Sequence, residues 1–541
     1  MFLDNKNKHH HFEYDQLKIT WNGFIYIPGI ASGQTSIQYF LAKAKEKLKK
    51  LETTSLINYL KEYLWQLEGQ YFIAISLNQE LLISVDPSGM YHFFYSKKAA
   101  SPSFLALINS EGLKPDDLDK TAIAEFLHWG NFHNDRTFFK EINKLKGNTL
   151  LHYNSEGCKK IHKSRTNIKD LPLRSFEDSM NALAKSCQGL KLSIDITGGV
   201  DSRLLVAAMD YYDMNYDLAV SGPKDHIDVV YADKIAKTLN KKLTITTQCI
   251  ENLDADLENV FDCCDGIVDI TTYHRLFQHQ GRRAEGKYDL SISGAGGEIY
   301  KEYVWLHDFP FYKSNKVNWE RFYQLRFCPI APEHSILHPN LQGKSNSIKA
   351  NILEELKSFK HTWNTQTYDD IYLSYKWPVY YGRFITNNSS FFPCYAPFLE
   401  LSRAQFTYQL KRSARFFNKF HRDLNSYYHP TLSKMPTTEG GMSLSNKRYD
   451  LSMDILKYFN NRGQRLLNKI SQKTLKRSFL SFTSPNQPNY KLELRKTKLY
   501  GQGFKTLKNH GLLHPELVKD QLSDRYVGPV ITLGLLINRL S

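Results

Sequence analysis

The chain has 541 residues, is 41% hydrophobic and 13% aromatic, and so is too apolar for a disordered protein and long enough for two or more domains with sizeable cores. Its formal net charge of +16 points to an anionic partner: a nucleotide, an acidic sugar, a lipid headgroup or a nucleic acid. Seven scattered cysteines without a C-x-x-C pair exclude a disulfide framework and a zinc site built on such pairs, and no apolar run of about 18 residues is present to span a membrane.

A cytoplasmic protein is therefore expected, with no signal peptide in residues 1–11 and with His9, His10 and His11 in a solvated tail. No basic recognition helix or aromatic-interleaved module stands out, which argues against nucleic acid as the anionic partner.

In chain order, residues 17–27 read as a strand broken at Asn22 and Gly23, and residues 36–67 as two helices interrupted near 52–54. Residues 70–77, 81–85 and 91–95 read as strands, the last two joined through Asp86, Pro87, Ser88 and Gly89, a proline–glycine placement that suits a tight turn. Residues 1–160 thus form an α+β domain around an antiparallel sheet, and the charged stretch 161–175 is a linker. From 176 to 541 the expectation is an α/β domain with a helical C-terminal part. Strands at 192–196, 216–220, 243–247 and 289–293 alternate with helices, which builds a doubly wound parallel sheet whose ligand site lies beyond the carboxyl ends of its strands.

The segment 197–203, T-G-G-V-D-S-R, lies between the strand at 192–196 and an apolar helix. Gly198 and Gly199 let the backbone turn tightly and approach a ligand. Asp201 and Ser202 fall on the first helical turn, where free N–H groups favour an anion. The arrangement suits a phosphate chain, with Asp201 available to a metal ion. No G-K-[ST] follows, so this is not a Walker A loop. The segment resembles the S-G-G-x-D-S pyrophosphate loop of the asparagine synthetase-like superfamily, whose synthetase domain is a PP-loop ATP pyrophosphatase. Residues 293–298, S-G-A-G-G-E, resemble that family's S-G-x-G-[GS]-[DE] signature, with Ala295 in place of an often polar residue.

The resemblance implies an ATP site formed by Ile196, Thr197, Gly198, Gly199, Asp201, Ser202, Val220, Ser293 and Gly294, with Asp201 and Glu298 around Mg2+. Glu298 also reads as a plain acid at a helix start. Residues 432–441, L-S-K-M-P-T-T-E-G-G, resemble the family's lysine–glycine loop, which makes Lys434 a cation for the transition state or, on composition alone, a solvated lysine. Arg203, closing the loop motif, joins Lys434 as a second catalytic candidate. Arg383 is placed to reach a phosphate or to be ion-paired or solvated, and residues 396–400, A-P-F-L-E, match an architectural P-F-L-D segment.

The front half carries a likeness of its own. Residues 67–76, 86–95 and 142–151 resemble three stretches of the class II glutamine amidotransferase domain of asparagine synthetases, and residues 21–26, W-N-G-F-I-Y, resemble its N-G-E-I-Y with Phe24 at the glutamate. That glutaminase needs an N-terminal cysteine with its own α-amino group as base. Residue 2 is Phe2 and the first cysteine is Cys158, so a degenerate, non-hydrolysing domain is expected.

Together the likenesses imply an ATP-dependent, AMP-forming ligase. A carboxylate becomes an acyl-adenylate with release of pyrophosphate, and ammonia or an amine then attacks it, the nitrogen arriving free, on a substrate, or from a partner glutaminase. The positive charge favours an acidic acceptor, such as a sugar of a surface polysaccharide. Two alternatives stand beside this one: a PP-loop tRNA-modifying enzyme and a non-catalytic nucleotide-binding scaffold.

Overall fold

The computed structural model describes residues 9–48, 52–164, 171–308, 311–438, 443–456, 459–460 and 490–541. Phe2 and the glycines Gly440 and Gly441 lie outside the described residues. Among the described residues, no helix is long and apolar enough to cross a membrane.

The chain opens with β1 (His10–Tyr14) and β2 (Leu17–Tyr26), followed by α1 (Gln34–Lys47) and α2 (Thr53–Tyr63). His10 and His11 are exposed, as expected, but belong to a strand rather than to a tail. His10 pairs with Trp21 across the β1–β2 ladder and stacks on its ring at 4.8 Å, while Phe12 meets the same indole at 5.4 Å. A two-residue alternation of aromatic side chains is enough to recruit the segment to the sheet edge.

Next come β3 (Glu68–Leu77), β4 (Glu80–Val85), β5 (Phe94–Tyr95) and β6 (Ala100–Ser101), then α3 (Phe104–Glu111) and α4 (Lys120–Trp129). β7 (Asn143–Lys144), β8 (Thr149–Asn154) and β9 (Gly157–His162) complete this part. Six strands form one antiparallel sheet in the order β1-β2-β3-β4-β8-β9, and β6-β5-β7 form a small second sheet. β3 shows why the sheet is covered on both sides. Tyr71, Ile73 and Ile75 pack with Phe40, Leu41 and Leu60 of α1 and α2, whereas Phe72 and Ala74 point into the opposite cluster with Ile83 and Val85.

Two expectations change here. β2 runs unbroken through Asn22 and Gly23, because Gly23 at φ +93° admits the close approach of the Gln70 carbonyl, which a Cβ would meet at 2.2 Å. The strand expected at 91–95 shrinks to β5. The Asp86 carboxylate accepts from the Ser88 hydroxyl (2.6 Å) and the backbone N–H groups of Met90 (3.1 Å) and Tyr91 (2.8 Å), which holds those residues in a turn. β9 also reaches His162, and the buried Lys163 donates to Ser84 at 2.9 Å, so the sheet continues into the segment read as a linker.

The second part begins with α5 (Phe176–Ser186), β10 (Leu192–Asp195), α6 (Val200–Tyr211), β11 (Tyr216–Ser221), α7 (Ile227–Thr238) and β12 (Leu243–Thr246). It continues through α8 (Leu253–Cys263), α9 (His274–Ala284), β13 (Leu290–Ile292) and, after a mostly helical excursion, β14 (Cys394–Tyr395). All four pairings are parallel, in the order β12-β11-β10-β13-β14. The protein thus combines an antiparallel-sheet domain with a parallel-sheet α/β domain rich in helices.

The two sheets are joined by a buried polar seam beside β14. The Gln70 amide donates to the Ala396 carbonyl (3.0 Å) and accepts from the Ala396 N–H (2.7 Å), and the Gly69 N–H donates to Glu400 (2.8 Å). The Arg403 guanidinium donates to the phenol oxygens of Tyr395 (2.6 Å) and Tyr26 (2.8 Å), and Tyr26 in turn donates to Glu68 (2.9 Å). Burial pushes the Glu400 carboxyl well above the usual carboxylate range, Glu68 adds to the rise, and Arg403 opposes it.

Candidate functional site

Apolar residues at alternate positions sink β10 into the sheet, with Leu192 and Ile194 fully buried, and the chain must then leave the sheet and enter α6 within four residues. It does so through Ile196, Thr197, Gly198 and Gly199, and Gly199 stands just before the first residue of α6. The hydroxyl of Ser202 accepts from the Thr197 N–H at 3.1 Å and lies 3.1 Å from the Thr197 hydroxyl, which fixes the curl of the loop. A Cβ on Gly294 would sit 2.9 Å from the Ser202 backbone, so the loop after β13 closes directly onto the loop after β10.

Beyond the carboxyl ends of β10, β11 and β13 lies a cavity of 660 Å³. Of the residues expected around a nucleotide, Ile196, Thr197, Gly199, Asp201, Ser202, Val220, Ser293 and Gly294 line it. Gly198 turns its back: its N–H donates to the Asp228 carboxylate at 2.9 Å, and a Cβ there would strike the Thr438 side chain. Val268, Leu276 and Phe384 supply apolar wall, and Arg275 and Arg383 also border the cavity. On its wall, Asp195 accepts from Arg283 at 2.7 Å. Burial alone would raise that carboxyl, but Arg283 and His279 hold it below its ordinary value.

Asp201 sits between Lys301 and His421. Lys301 Nζ lies 2.9 Å from its Oδ2, and His421 Nε2 lies 2.8 Å from its Oδ1. Burial alone would raise its carboxyl, yet Lys301 and His421 bring it down to about 2. Glu298 accepts from the Tyr381 hydroxyl, and burial, helped by the neighbouring Asp201 charge, raises its carboxyl above the usual range. This arrangement does not fit the Mg2+ expected at Asp201 and Glu298. A dication needs ionised carboxylate oxygens free to coordinate, whereas Asp201 Oδ2 is already held by Lys301 and burial raises the Glu298 carboxyl. Among the described residues, no group of three His, Cys, Asp or Glu side chains is disposed to hold a metal.

The two residues expected to be catalytic occupy other places. Arg203 is fully buried, and its guanidinium donates to the carbonyls of Met435 (2.7 Å) and Pro436 (2.9 Å), with Leu432 and Gly198 at 3.4 Å. It fastens the 432–436 segment to the glycine loop rather than facing the cavity. The Thr438 N–H donates to the Gly198 carbonyl at 3.0 Å, so the lysine–glycine segment does lie against the phosphate-type loop. Lys434 itself is exposed at the end of the short helix Pro430–Ser433 and does not line the cavity.

Lys301 and His421 were not legible as site residues. Lys301 follows Glu298 by three positions within a tight turn, which is a weak local signal, while His421 arrives on the helix Lys419–Tyr428, which packs against α6.

No protein-family model matches the chain, and no curated protein matches it. Among solved structures, glutamine phosphoribosylpyrophosphate amidotransferase from B. subtilis, complexed with ADP and GMP, matches over 46% of this chain and 74% of its own. The identity is 11% and the TM-score 0.18, and a likeness that slight carries no argument.

The packing of Gly297 offers a sharp test of the site. A Cβ there would lie 2.4 Å from the Asp201 carboxylate. Gly297→Ala should push that carboxylate off Lys301 and His421 at a cost of about 1–3 kcal/mol. The Asp201 carboxyl should then titrate above about 2, by NMR or by acid denaturation.

Proposed function

We propose that the protein is an ATP-dependent, AMP-forming carboxylate–amine ligase with an asparagine synthetase-like synthetase domain. What supports this reading above all is that the loops after β10 and β13 meet at one cavity, with Gly294 packed on Ser202. Glycine-bounded loops at the carboxyl ends of parallel strands, one opening directly into a helix, suit a polyphosphate beside a nucleoside.

In this reading a substrate carboxylate oxygen attacks the α-phosphorus of ATP as the bond to the bridging oxygen breaks and pyrophosphate departs. An amine nitrogen then attacks the activated carbonyl, loses a proton, and AMP leaves. The first-turn N–H groups of α6, with the Thr197 and Ser202 hydroxyls, stabilise the departing anion. Asp201 sets Lys301 beside that position, so the chain's own ammonium supplies positive charge there. Arg275 and Arg383, at the cavity border, suit an acidic acceptor. The nitrogen comes from ammonia or an amine, since no cysteine occurs among residues 9–157 to open glutamine.

The decisive measurement is pyrophosphate and AMP release from ATP with a panel of carboxylates, sugar uronates and tRNA, with ammonia or glutamine as nitrogen source. The expected result is stoichiometric release with an acidic carboxylate and ammonia, and no glutamate from glutamine. Release only with tRNA, or from no acceptor at all, would replace the reading with an RNA-modifying enzyme or a nucleotide-binding scaffold.

A further inference from the structure

A second cavity, of 190 Å³, lies where the antiparallel-sheet domain meets the helical part of the second domain. One wall is the turn 87–89, residues 134–135 and the segment 144–148, and the other is the helical turn at 373–375 with Pro378 and Val379. No lining residue is shared with the cavity beyond β10, β11 and β13. Gly147 fixes the first wall: a Cβ there would lie 2.4 Å from the Pro87 carbonyl oxygen and 2.6 Å from the Gly89 nitrogen, so the two loops stand in direct contact. On the second wall, residues 372–376 form a π-helical turn, a distortion common at functional sites.

Lys144, on β7, borders this cleft and also a smaller cavity lined by His92, Asn131 and Arg136. The charges of Asp135 and Lys146 act on its ammonium, which acts in turn on His92, so the ammonium lies between the two cavities. Among the described residues its Nζ makes no hydrogen bond and no ion pair, yet it is not sealed from solvent. The other charges here are answered: Asp135 pairs with Lys146 at 3.3 Å, and Arg136 with Glu125 at 3.2 Å. Burial holds the His92 imidazole well below its ordinary value, which leaves it neutral at pH 7. Burial also brings the Lys144 ammonium down to about 8, with Asp135 opposing the fall, so it is still charged at pH 7. An ammonium withdrawn from water without an anion is costly, and buried charges in folded proteins are paired. The cleft thus carries one uncompensated positive charge, and its partner comes from the open side.

We propose that the cleft binds a small carboxylic acid, its carboxylate on the Lys144 ammonium and its apolar part against Leu145, Pro378 and Val379. Charge balance selects the carboxylate. A single anionic charge cancels that of the cleft, whereas a phosphate monoester brings about −1.5 to −2 at pH 7. Asn134 and Ser374 line the same cleft and offer neutral donors to the second carboxylate oxygen. The site is independent of the nucleotide reading of the larger cavity.

The test uses the full chain and compares binding of butyrate, butyramide and methyl phosphate by calorimetry. Butyrate should bind about ten- to a hundredfold more tightly than butyramide, its neutral isostere, the range expected for one hydrogen bond to a charged group. It should also bind more tightly than methyl phosphate. Lys144→Met keeps an unbranched side chain and removes the charge, and should weaken butyrate by the same factor. Ser374→Trp narrows the cleft from the opposite wall, leaves Lys144 in place and should weaken butyrate at least tenfold. It decides the matter if the methionine variant fails to fold. Butyrate binding that survives either substitution belongs to another site and overturns the proposal. So do equal affinities for butyrate and butyramide, or no butyrate binding at all. Tighter binding of methyl phosphate, lost in the same variants, overturns the choice of a carboxylate.

Discussion

Asp201→Asn should abolish pyrophosphate release from ATP and should also destabilise the fold. The second effect follows from the pairing of Asp201 with Lys301 at 2.9 Å and His421 at 2.8 Å. A neutral amide removes the carboxylate charge that both Lys301 and His421 face. Removing one partner of a fully buried pair costs about 3–5 kcal/mol. The Asp201 side chain is 21% exposed, so about 2–3 kcal/mol is the expected loss. The double variant Asp201→Asn with Lys301→Met should recover most of that stability and none of the activity, which separates the structural from the chemical role. Urea denaturation and a pyrophosphate assay on the same preparations give both answers. Unchanged stability in the single variant would mean that the pair contributes nothing in solution.

The pH dependence follows with a definite sign. The folded-state carboxyl of Asp201 is held down to about 2, below its ordinary value of 3.8. Its contribution to stability is therefore present above pH 3.8 and lost as the pH falls through about 2. Acid denaturation of the double variant should lack that component.

Arg403→Leu should produce the largest loss of stability in the molecule. The arginine is 1% exposed, and its four hydrogen-bond acceptors are Tyr26, Tyr395, Pro397 and Ser179, drawn from both sides of the seam. Without it, the carboxyls of Glu68 and Glu400 remain buried together, with Arg174 paired to Glu68 at 2.7 Å as the remaining cation. The expected cost is about 3–5 kcal/mol. Urea unfolding followed by circular dichroism should show a lower midpoint and two separate transitions, one for each sheet. Arg403→Lys should recover only part of the loss, because a point charge cannot reach both phenols as the planar fork does. An unchanged single transition would show that the two sheets are held together by apolar contacts alone.

The local patterns and the tertiary geometry divide at identifiable residues. Alternation in 192–196 and the glycine pair that follows were enough to anticipate β10, the tight loop and α6, because strand period and glycine conformational freedom are properties of a few neighbouring residues. The same holds for β11, β12 and β13. β14 was not legible. Its two residues, Cys394 and Tyr395, carry no period, and only the partner strand β13 makes them a strand. The short run at 91–95 failed for the opposite reason: one Asp86 carboxylate outweighed a favourable β pattern.

What the sequence determined by itself is a parallel-sheet domain with a glycine loop suited to phosphate, preceded by an antiparallel-sheet domain. Those features depend on periodicity and on residues close in the chain. The roles of charged side chains were decided by the tertiary structure alone. Arg203 fastens a loop, Lys434 faces outward, and Asp201 is held by Lys301 and His421. The partners of Asp201 lie 100 and 220 positions away, and electrostatic pairing acts through space, so no local pattern encodes it.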